Sequence, residues 1–138
     1  MFRLFSAPKS SGLLQPLAAV TLFSKLSPRE LKTVSTLIHE RHALAGEIIF
    51  DEGEDGQAIY IVFSGQVMIC RQGCDASPIA MVGPGRIFGE LALIDGGVRS
   101  AQARVVSDCE LGVMFRGDFE NLMQSHAVIA AKVSFQLA

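Results

Sequence analysis

The sequence predicts an α+β fold: an antiparallel β-roll of the double-stranded β-helix or jelly-roll-like kind, with one short internal helix and further helices at both ends. Helical patterns lie near the two ends of the chain, whereas residues 43–115 alternate apolar and polar side chains between glycine-bearing turns. No full-length helical pattern separates these short segments, so βαβ units are disfavoured and a closed roll is favoured.

The strongest helix signal is a capping box at Ser27-Pro28-Arg29-Glu30, in which proline occupies the first helical position. An apolar stripe follows it, formed by Leu31, Val34, Leu37 and Ile38. We expect this helix to end near His39. Upstream, residues 13–22 predict a shorter helical segment that Pro16 begins or bends.

The chain is long enough for one folded domain, and its size leaves no room for a second. Residues 1–21 are expected to form an N-terminal extension, partly disordered or helical, because Ser, Pro and Gly are frequent in its first half. Residues 22–138 are expected to form the domain itself.

Six segments of the central region predict strands, at residues 47–50, 58–63, 66–71, 79–82, 100–106 and 110–115. Residues 89–94 interrupt them with a single helical turn. After Phe115 the helical pattern returns, with Phe119, Leu122 and Met123 on one face. Ser125 is expected to cap a second helix whose apolar stripe contains Val128, Ile129, Val133 and Leu137. That stripe suggests completion by a protein partner, by a second copy, or by further residues of a longer chain.

Composition excludes several classes of function. The formal net charge of −2 argues against nucleic acid as a partner, and no stretch reaches the roughly 20 apolar residues that span a bilayer. Three cysteines without CxxC spacing argue against a disulfide framework and against a zinc site. A reducing, cytoplasmic location follows from this interpretation.

Residues 88–101 concentrate the chemistry of the chain, with the sequence Phe-Gly-Glu-Leu-Ala-Leu-Ile-Asp-Gly-Gly-Val-Arg-Ser-Ala. After Gly89, a short helical turn exposes backbone N–H groups that suit an anion. Arg99 supplies a planar fork that matches two phosphodiester oxygens, and Ser100 adds a hydroxyl donor. Glu90 is then free to accept hydrogen bonds from a sugar hydroxyl. This combination predicts a site for one cyclic phosphate and one ribose.

The same residues carry a family resemblance. The segments Ile49-Phe50-Asp51-Glu52-Gly53-Glu54, Tyr60-Ile61-Val62-Phe63-Ser64-Gly65-Gln66-Val67 and Val82-Gly83-Pro84-Gly85 precede residues 88–101 in a characteristic order. In order and approximate spacing, the chain resembles the cyclic nucleotide-binding domain family from about Leu22 onward. That family includes the sensor domain of the bacterial catabolite activator protein, the regulatory subunits of the cyclic-AMP-dependent kinase, and the gating domains of cyclic-nucleotide-gated channels.

The resemblance implies roles for individual residues. Glu90 matches the family glutamate that accepts from the ribose 2′-hydroxyl, and backbone N–H groups of Leu91, Ala92 and Ser100 are implied phosphate donors. Val67, Ala80 and Val82 lie on strands implied to flank the purine, although ordinary core positions explain them equally well. Phe135 is a candidate for closing the pocket from the C-terminal helix. The expected ligand-binding residues are Gly89, Glu90, Leu91, Ala92, Arg99, Ser100, Ala101, Val67, Ala80 and Val82.

Two positions depart from the family pattern. Val98 stands where proline commonly precedes the arginine, and Arg86 stands where an acidic residue is usual after the Gly-Pro-Gly turn. The first change is expected to loosen the loop that holds Arg99. Neither change removes a group expected to contact the ligand.

The resulting hypothesis is a regulatory sensor domain that binds cyclic AMP and changes the packing of its C-terminal helices. Cyclic GMP stays open as the ligand, because Ser100 would also satisfy the amino group of a syn guanine. One alternative is a ligand-free interaction scaffold of the same fold. Another is the sensor fragment of a larger transcription regulator or channel. The expected partners are the cyclic nucleotide and, through the C-terminal helix, another protein or a second copy.

No enzyme mechanism and no metal site emerge from the sequence. The Ser and Cys residues lack a base at any recognisable spacing, so nucleophilic catalysis is not predicted. His39, His42 and His126 are expected at helix ends or on the surface, and residues 51–62 lack the final glutamate of a calcium loop.

Overall fold

The computed structural model describes residues 16–71, 78–95 and 97–137, except for the side chains of Ile94 and Asp95. A 3₁₀ helix (Thr21–Phe23) and helix α1 (Pro28–Ser35) come first. Strands β1 to β5 follow as His39–Ala43, Ile48–Phe50, Ala58–Cys70, Ala80–Val82 and Ile87–Phe88. Helix α2 (Glu90–Asp95), strand β6 (Gln102–Phe115) and helices α3 (Arg116–Ser125) and α4 (Ala127–Leu137) complete the order. The predicted α+β roll is confirmed.

The two long strands β3 and β6 form the centre of one antiparallel sheet. Its path runs β1-β6-β3-β4, and the short strands β2 and β5 pair with β6 and β3 respectively. The pairing of β3 with β6 is irregular around Ser64 and Gln66. Gly65 lies at this irregularity with φ +87°, and an added Cβ would lie 2.4 Å from the Asp108 carbonyl oxygen. The close approach requires glycine, and the irregular pairing lets each long strand serve two different neighbours.

Apolar side chains form two separate clusters. One lies between the helices and the sheet and includes Val34, Leu122 and Val133, all at most 3% exposed. The other fills the inside of the roll and includes Phe50, Val67, Val82, Phe88 and Leu111. The candidate site borders this second cluster, so its walls are set by the packing of the roll.

Helix α1 begins as predicted and ends earlier than predicted. Ser27 Oγ accepts from Glu30 N at 3.2 Å, and Glu30 Oε1 accepts from Ser27 N at 2.8 Å, which completes the capping box. The helix ends at Ser35 and not near His39. The Ser35 and Thr36 hydroxyls donate to backbone carbonyls three residues back, which favours termination. His39 instead begins β1, where it pairs with Val113 of β6.

The predicted strands lie in the correct places, but several of their bounds are wrong, and strands β1 and β5 were not predicted. Strand β1 was not predicted, because His-Glu-Arg-His-Ala carries almost no apolar alternation and its pairing with β6 supplies the order. The predicted pairs 58–63 with 66–71, and 100–106 with 110–115, are each one continuous bent strand. A local pattern cannot distinguish a turn from such a bend.

The C-terminal helices are confirmed, but Ser125 does not cap the second one. Ser125 ends α3, and its hydroxyl donates to Asn121 Oδ1 at 3.1 Å. The carbonyl of His126 accepts from Ala130 N at 2.8 Å, so His126 occupies the position before α4. Leu17 and Val20, in the predicted N-terminal extension, are fully buried in the helical cluster.

Cys70 is disulfide-bonded, and its partner lies outside the described residues. This bond counts against the expectation that the cysteines form no disulfide framework, because the spacing of cysteines alone does not exclude a disulfide. Cys109 is a free, buried thiol, and burial raises its pKa. No helix within the described ranges combines the length and the apolar character needed to cross a membrane.

Candidate functional site

A cavity of about 290 Å³ opens where β4, β5, α2 and the segment just before β6 meet. Its volume is close to the lower end of the range for small-molecule sites. The lining residues are Phe50, Ile69, Ala80, Met81, Val82, Arg86, Ile87, Phe88, Gly89, Glu90, Leu91, Ala92, Arg99, Ser100 and Ala101. The wall is apolar along β4 and charged near α2, which suits a ligand with one apolar and one charged end.

All the residues expected to contact a ligand line this cavity, except Val67. Val67 is fully buried inside the roll, paired with Val82 on one side and Val105 on the other. Phe135, the candidate for closing the pocket, is 74% exposed on α4 and does not line the cavity. Sequence reasoning missed Phe50, Ile69, Met81, Ile87 and Phe88, because apolar strand residues give no sign of which face borders a cavity. It also assigned no ligand contact to Arg86, which lines the cavity.

Arg99 is buried beside the cavity and is held by uncharged groups. Only 4% of the surface of Arg99 is exposed. Nη1 donates to the Gly89 carbonyl at 2.6 Å, and Nη2 donates to the Ala58 carbonyl at 2.8 Å. The guanidinium carbon lies 4.1 Å from the centre of the Phe50 ring, in cation–π geometry. These contacts fix the position of the charge without neutralising it.

Burial shifts the ionisation of this region. Desolvation lowers the pKa of Arg99, an effect that nearby Tyr60 opposes and Arg116 reinforces. Burial likewise raises the pKa of Tyr60, whereas the charges of Arg41 and Arg99 act to lower it. An arginine stays protonated near neutral pH despite such a shift, so the cavity keeps one enclosed positive charge.

The backbone of Arg99 is tied to the loop before β3. Its N–H donates to the Glu54 carbonyl at 2.7 Å, and its carbonyl accepts from Gly53 N at 2.9 Å. Val98 forms an isolated antiparallel bridge with Asp55. These bonds hold the loop without a proline at position 98.

Gly89 allows the arginine to approach the backbone. Its φ is +86°, and an added Cβ would lie 2.8 Å from Arg99 Nη1 and 3.3 Å from the Phe50 ring. Both the backbone conformation and the space therefore require glycine. The residue joins β5 to α2 and orients its carbonyl toward the guanidinium.

Two buried polar atoms at the cavity have no hydrogen-bond partner among the described residues. One is Arg99 Nε, and the other is Glu90 Oε2. Arg99 and Glu90 both line the cavity and carry opposite charges. A ligand with an anionic group and a hydroxyl group would satisfy both atoms if the two side chains turned to expose them to the cavity.

Arg116 connects the cavity wall with the C-terminal helices. It is the first residue of α3, and its Nε donates to the Gly56 carbonyl at 2.8 Å. Its Nη2 also donates to Gly56 and, at 3.3 Å, to the carbonyl of Ala92 in α2. A displacement of α2 would therefore change the hydrogen bonds that Arg116 forms at the start of α3.

No cluster of three or more potential metal ligands occurs in the described part of the chain. His39 and His42 lie on β1, and His126 lies between α3 and α4. In the loop after β2, Asp51 Oδ1 accepts from Glu52 N and from Gln102 Nε2, and Glu54 Oε1 accepts from Asp51 N. These carboxylates are engaged in hydrogen bonds within the loop and with β6.

Comparison with known proteins places this geometry in context. The family model described as "Cyclic nucleotide-binding domain" matches residues 40–126. The cyclic AMP receptor protein of Thermus thermophilus is 38% identical over 119 residues, which cover 85% of this chain and 55% of that protein. This chain thus spans little more than half of that relative.

Solved structures give the same result. The regulatory domain of Toxoplasma gondii PKA, crystallised with cAMP, has a TM-score of 0.71 and 33% identity, over 80% of this chain and 43% of that one. A cyclic nucleotide-binding domain from Methylobacillus flagellatus has a TM-score of 0.83 at 22% identity, over 98% and 79% of the two chains. At that identity the second structure supports the fold alone.

Proposed function

This chain belongs to the cyclic nucleotide-binding domain family, and on that premise we propose that it is a regulatory sensor that binds a cyclic mononucleotide without transforming it. Cyclic AMP is the proposed ligand. Its support is the Thermus relative, which is named a cyclic AMP receptor, and the Toxoplasma domain, which was crystallised with cAMP.

The observation that carries the proposal is the pair of unsatisfied buried atoms, Arg99 Nε and Glu90 Oε2. Leaving a buried polar group without a partner costs about 1–3 kcal/mol, and more when the group is charged. A cyclic nucleotide offers a phosphate oxygen to the first atom and a ribose hydroxyl to the second. One ligand therefore supplies the missing hydrogen-bond partners of both atoms.

Arg99 is the proposed phosphate anchor. The ring phosphodiester carries a negative charge that is not neutralised near pH 7, so it matches the enclosed guanidinium. Two N–H groups of Arg99 are occupied by backbone carbonyls, which leaves Nε–H and further Nη protons for the ligand. The Ser100 hydroxyl and the backbone N–H groups of Leu91 and Ala92 are proposed as additional donors.

The base is proposed to lie along the apolar wall formed by β4. Ala80 and Val82 face the cavity there, together with Ile69 of β3. Burial of a purine against such a surface adds affinity, and the charge-assisted contacts add more. After the costs of association, affinity around micromolar is expected, about 8 kcal/mol.

The proposed signal runs from α2 to the C-terminal helices. Ligand contacts at Glu90 and Ala92 would stabilise one position of α2, and Arg116 joins the Ala92 carbonyl to the start of α3. The packing of α3 and α4 is then expected to depend on ligand, provided that affinity differs between the two arrangements. Val128 and Phe135 are 60% and 74% exposed on α4, which suits a partner protein or a second copy.

We also propose that residues 22–138 constitute the binding domain and that it acts in the cytoplasm. The free thiol of Cys109 fits that location. The disulfide at Cys70 does not, because disulfides are rare in reducing compartments. Alkylation of intact cells followed by mass spectrometry of Cys70 tests the location: a reduced Cys70 supports it, and an oxidised Cys70 contradicts it.

Thermal unfolding tests the proposed function. We expect cyclic AMP, in large excess over a micromolar Kd, to raise Tm by several degrees. Adenosine, which lacks the phosphate, and 5′-AMP, which lacks the ring phosphodiester, are the controls and should raise it much less. If neither cyclic AMP nor cyclic GMP moves Tm at about 1 mM, a ligand-free interaction scaffold becomes the better account.

A further inference from the structure

Arg99 carries a buried positive charge that no carboxylate neutralises. Among the residues that the structure describes, its side chain donates to the carbonyls of Gly89 and Ala58, lies over the ring of Phe50, and forms no ion pair. Removing a cation from water is costly unless nearby groups compensate for the lost hydration. The two carbonyls supply part of that compensation. Phe50, the third partner, has no role in the proposed function.

Phe50 is fixed at the end of β2, and its ring is enclosed by other aromatic side chains. Its backbone pairs with Ala103 of β6, and the residue is buried. The ring centres of Tyr60 and Phe88 lie 5.9 and 6.0 Å from that of Phe50. The Tyr60 and Phe88 rings in turn stack on each other at 5.1 Å. This aromatic group leaves the Phe50 ring little freedom to turn, so its face is a stable support for a neighbouring side chain.

The guanidinium of Arg99 lies over the face of this ring. Its central carbon is 4.1 Å from the centre of the Phe50 ring and 5.9 Å from that of the Tyr60 ring. Gly89 lies beside both groups, because an added Cβ there would be 3.3 Å from Phe50 Cε2 and 2.8 Å from Arg99 Nη1. Phe50 is thus the aromatic residue in closer contact with the cation.

A cation–π contact differs from an ion pair in two ways that matter at a ligand site. It stabilises the cation through the quadrupole of the ring, so the positive charge stays available to an anion and no N–H donor is occupied. It also acts on the charge as a whole and not on one particular N–H, so the guanidinium can turn while it stays over the ring. Arg99 is then held at the cavity wall with donors that it can direct to a ligand.

Burial alone does not account for the position of Phe50. Phe88 is also buried, belongs to the same aromatic group and lines the same cavity. Within the described part of the chain, however, the cation–π contacts of Arg99 are with Phe50 and Tyr60 and not with Phe88. Phe88 therefore represents an aromatic residue of this cavity that only packs, and it provides a matched comparison for Phe50.

We propose that Phe50 is a positioning residue of the ligand site: its ring keeps the Arg99 guanidinium at the cavity wall through the cation–π contact and thereby raises the affinity for an anionic ligand. The inference rests on the proposed function, in which Arg99 binds the cyclic phosphate. If the guanidinium left this position for part of the time, the apparent affinity would fall in proportion to the fraction of competent molecules. A ring with less electron density at its face holds the cation less strongly, so the affinity should decrease with that density.

Calorimetric titration of cyclic AMP into proteins with fluorinated rings at position 50 tests the proposal. Phe50 is replaced by monofluoro-, difluoro- and trifluorophenylalanine, which withdraw electron density from the ring face and change the shape of the ring little. We expect the Kd to rise with each added fluorine, to about fivefold for the trifluoro ring. Phe50→Leu, which removes the ring, should weaken binding by at least about the same factor.

The same fluorinated series at Phe88 is the matched control. Because Phe88 makes no cation–π contact with Arg99 among the described residues, its series should change the Kd by less than about twofold. Thermal unfolding without ligand verifies that every variant is folded.

The outcomes separate this inference from the proposed function. A constant Kd across the series at position 50, or an equal trend at positions 50 and 88, would overturn the inference, because packing alone would then explain Phe50. A Kd that falls with fluorination would also overturn it, because an electron-poor ring would then attract the anionic ligand directly. If the wild type binds neither cyclic AMP nor cyclic GMP, the proposed function fails and this inference fails with it.

Discussion

Arg99 is held by two carbonyl oxygens and an aromatic ring, and none of these contacts neutralises its charge. A buried arginine of purely structural role is usually paired with a carboxylate. Here the carboxylate on the same cavity, Glu90, leaves one buried oxygen unsatisfied. At the scale of single residues, the site thus keeps its two charges apart and available.

Gly89→Ala is expected to damage both the fold and the site. The substitution places a side chain at φ +86° and within 2.8 Å of Arg99 Nη1. The strain should lower the free energy of unfolding by roughly 1–3 kcal/mol. Displacement of the guanidinium should weaken the binding of cyclic AMP by about tenfold or more. Denaturant unfolding and calorimetry measure the two effects. Gly97→Ala is the matched control, because an added Cβ there meets nothing within 4 Å; equal behaviour of the two variants would contradict this account.

Glu90→Gln tests the sugar contact. If Glu90 accepts from the 2′-hydroxyl, the wild type should bind 2′-deoxy-cyclic AMP about tenfold more weakly than cyclic AMP. The variant should discriminate less between the two ligands, because its amide is a weaker acceptor than the carboxylate. Titration of both proteins with both ligands measures the interaction free energy between the Glu90 side chain and the 2′-hydroxyl directly. Full retention of the discrimination by the variant would show that another group reads the hydroxyl.

At the scale of elements, an ion pair joins helix α1 to helix α4. Lys132 Nζ donates to Glu30 Oε1 at 2.7 Å, the same oxygen that closes the capping box with Ser27 N. The hydrogen bond from Lys132, and then that from the Ser27 backbone, lower the pKa of Glu30. A carboxyl with a lowered folded-state pKa stabilises the fold above its unfolded pKa, and this contribution is lost as pH falls.

Glu30→Gln should therefore flatten the acid limb of the stability curve. The glutamine still completes a capping box, so the helix start is preserved and only the charge is removed. Below about pH 4.5, the wild type should lose unfolding free energy more steeply than the variant, and at neutral pH the variant should be the less stable protein. Urea unfolding across this range measures the difference. Glu120→Gln, at an exposed position of α3, is the control and should leave the curve unchanged; parallel wild-type and Glu30→Gln curves would refute the linkage.

At the scale of the whole molecule, local patterns predicted the roll and the part of the cavity wall near α2, and the family resemblance implied Ala80 and Val82 of β4. Glycines, a proline and alternating side chains act within a few residues, and so does the run that contains Glu90 and Arg99. What could not be predicted depends on pairing between distant segments. The carbonyl of Ala58 and the ring of Phe50 reach Arg99 only through the sheet. Strand β1 forms because it pairs with β6, and its own polar sequence does not predict that pairing. The spacing of the cysteines likewise does not predict the disulfide at Cys70.

Calorimetric titration of cyclic AMP into the wild type, Arg99→Lys and Arg99→Ala tests the central claim most directly, with ligand-free thermal unfolding as the check that each variant is folded. The account predicts a Kd near micromolar for the wild type and at least about tenfold weaker binding for Arg99→Ala. Arg99→Lys should be affected less, because it keeps the charge but loses the fork. If both folded variants bind cyclic AMP as tightly as the wild type, the enclosed guanidinium is not the phosphate anchor.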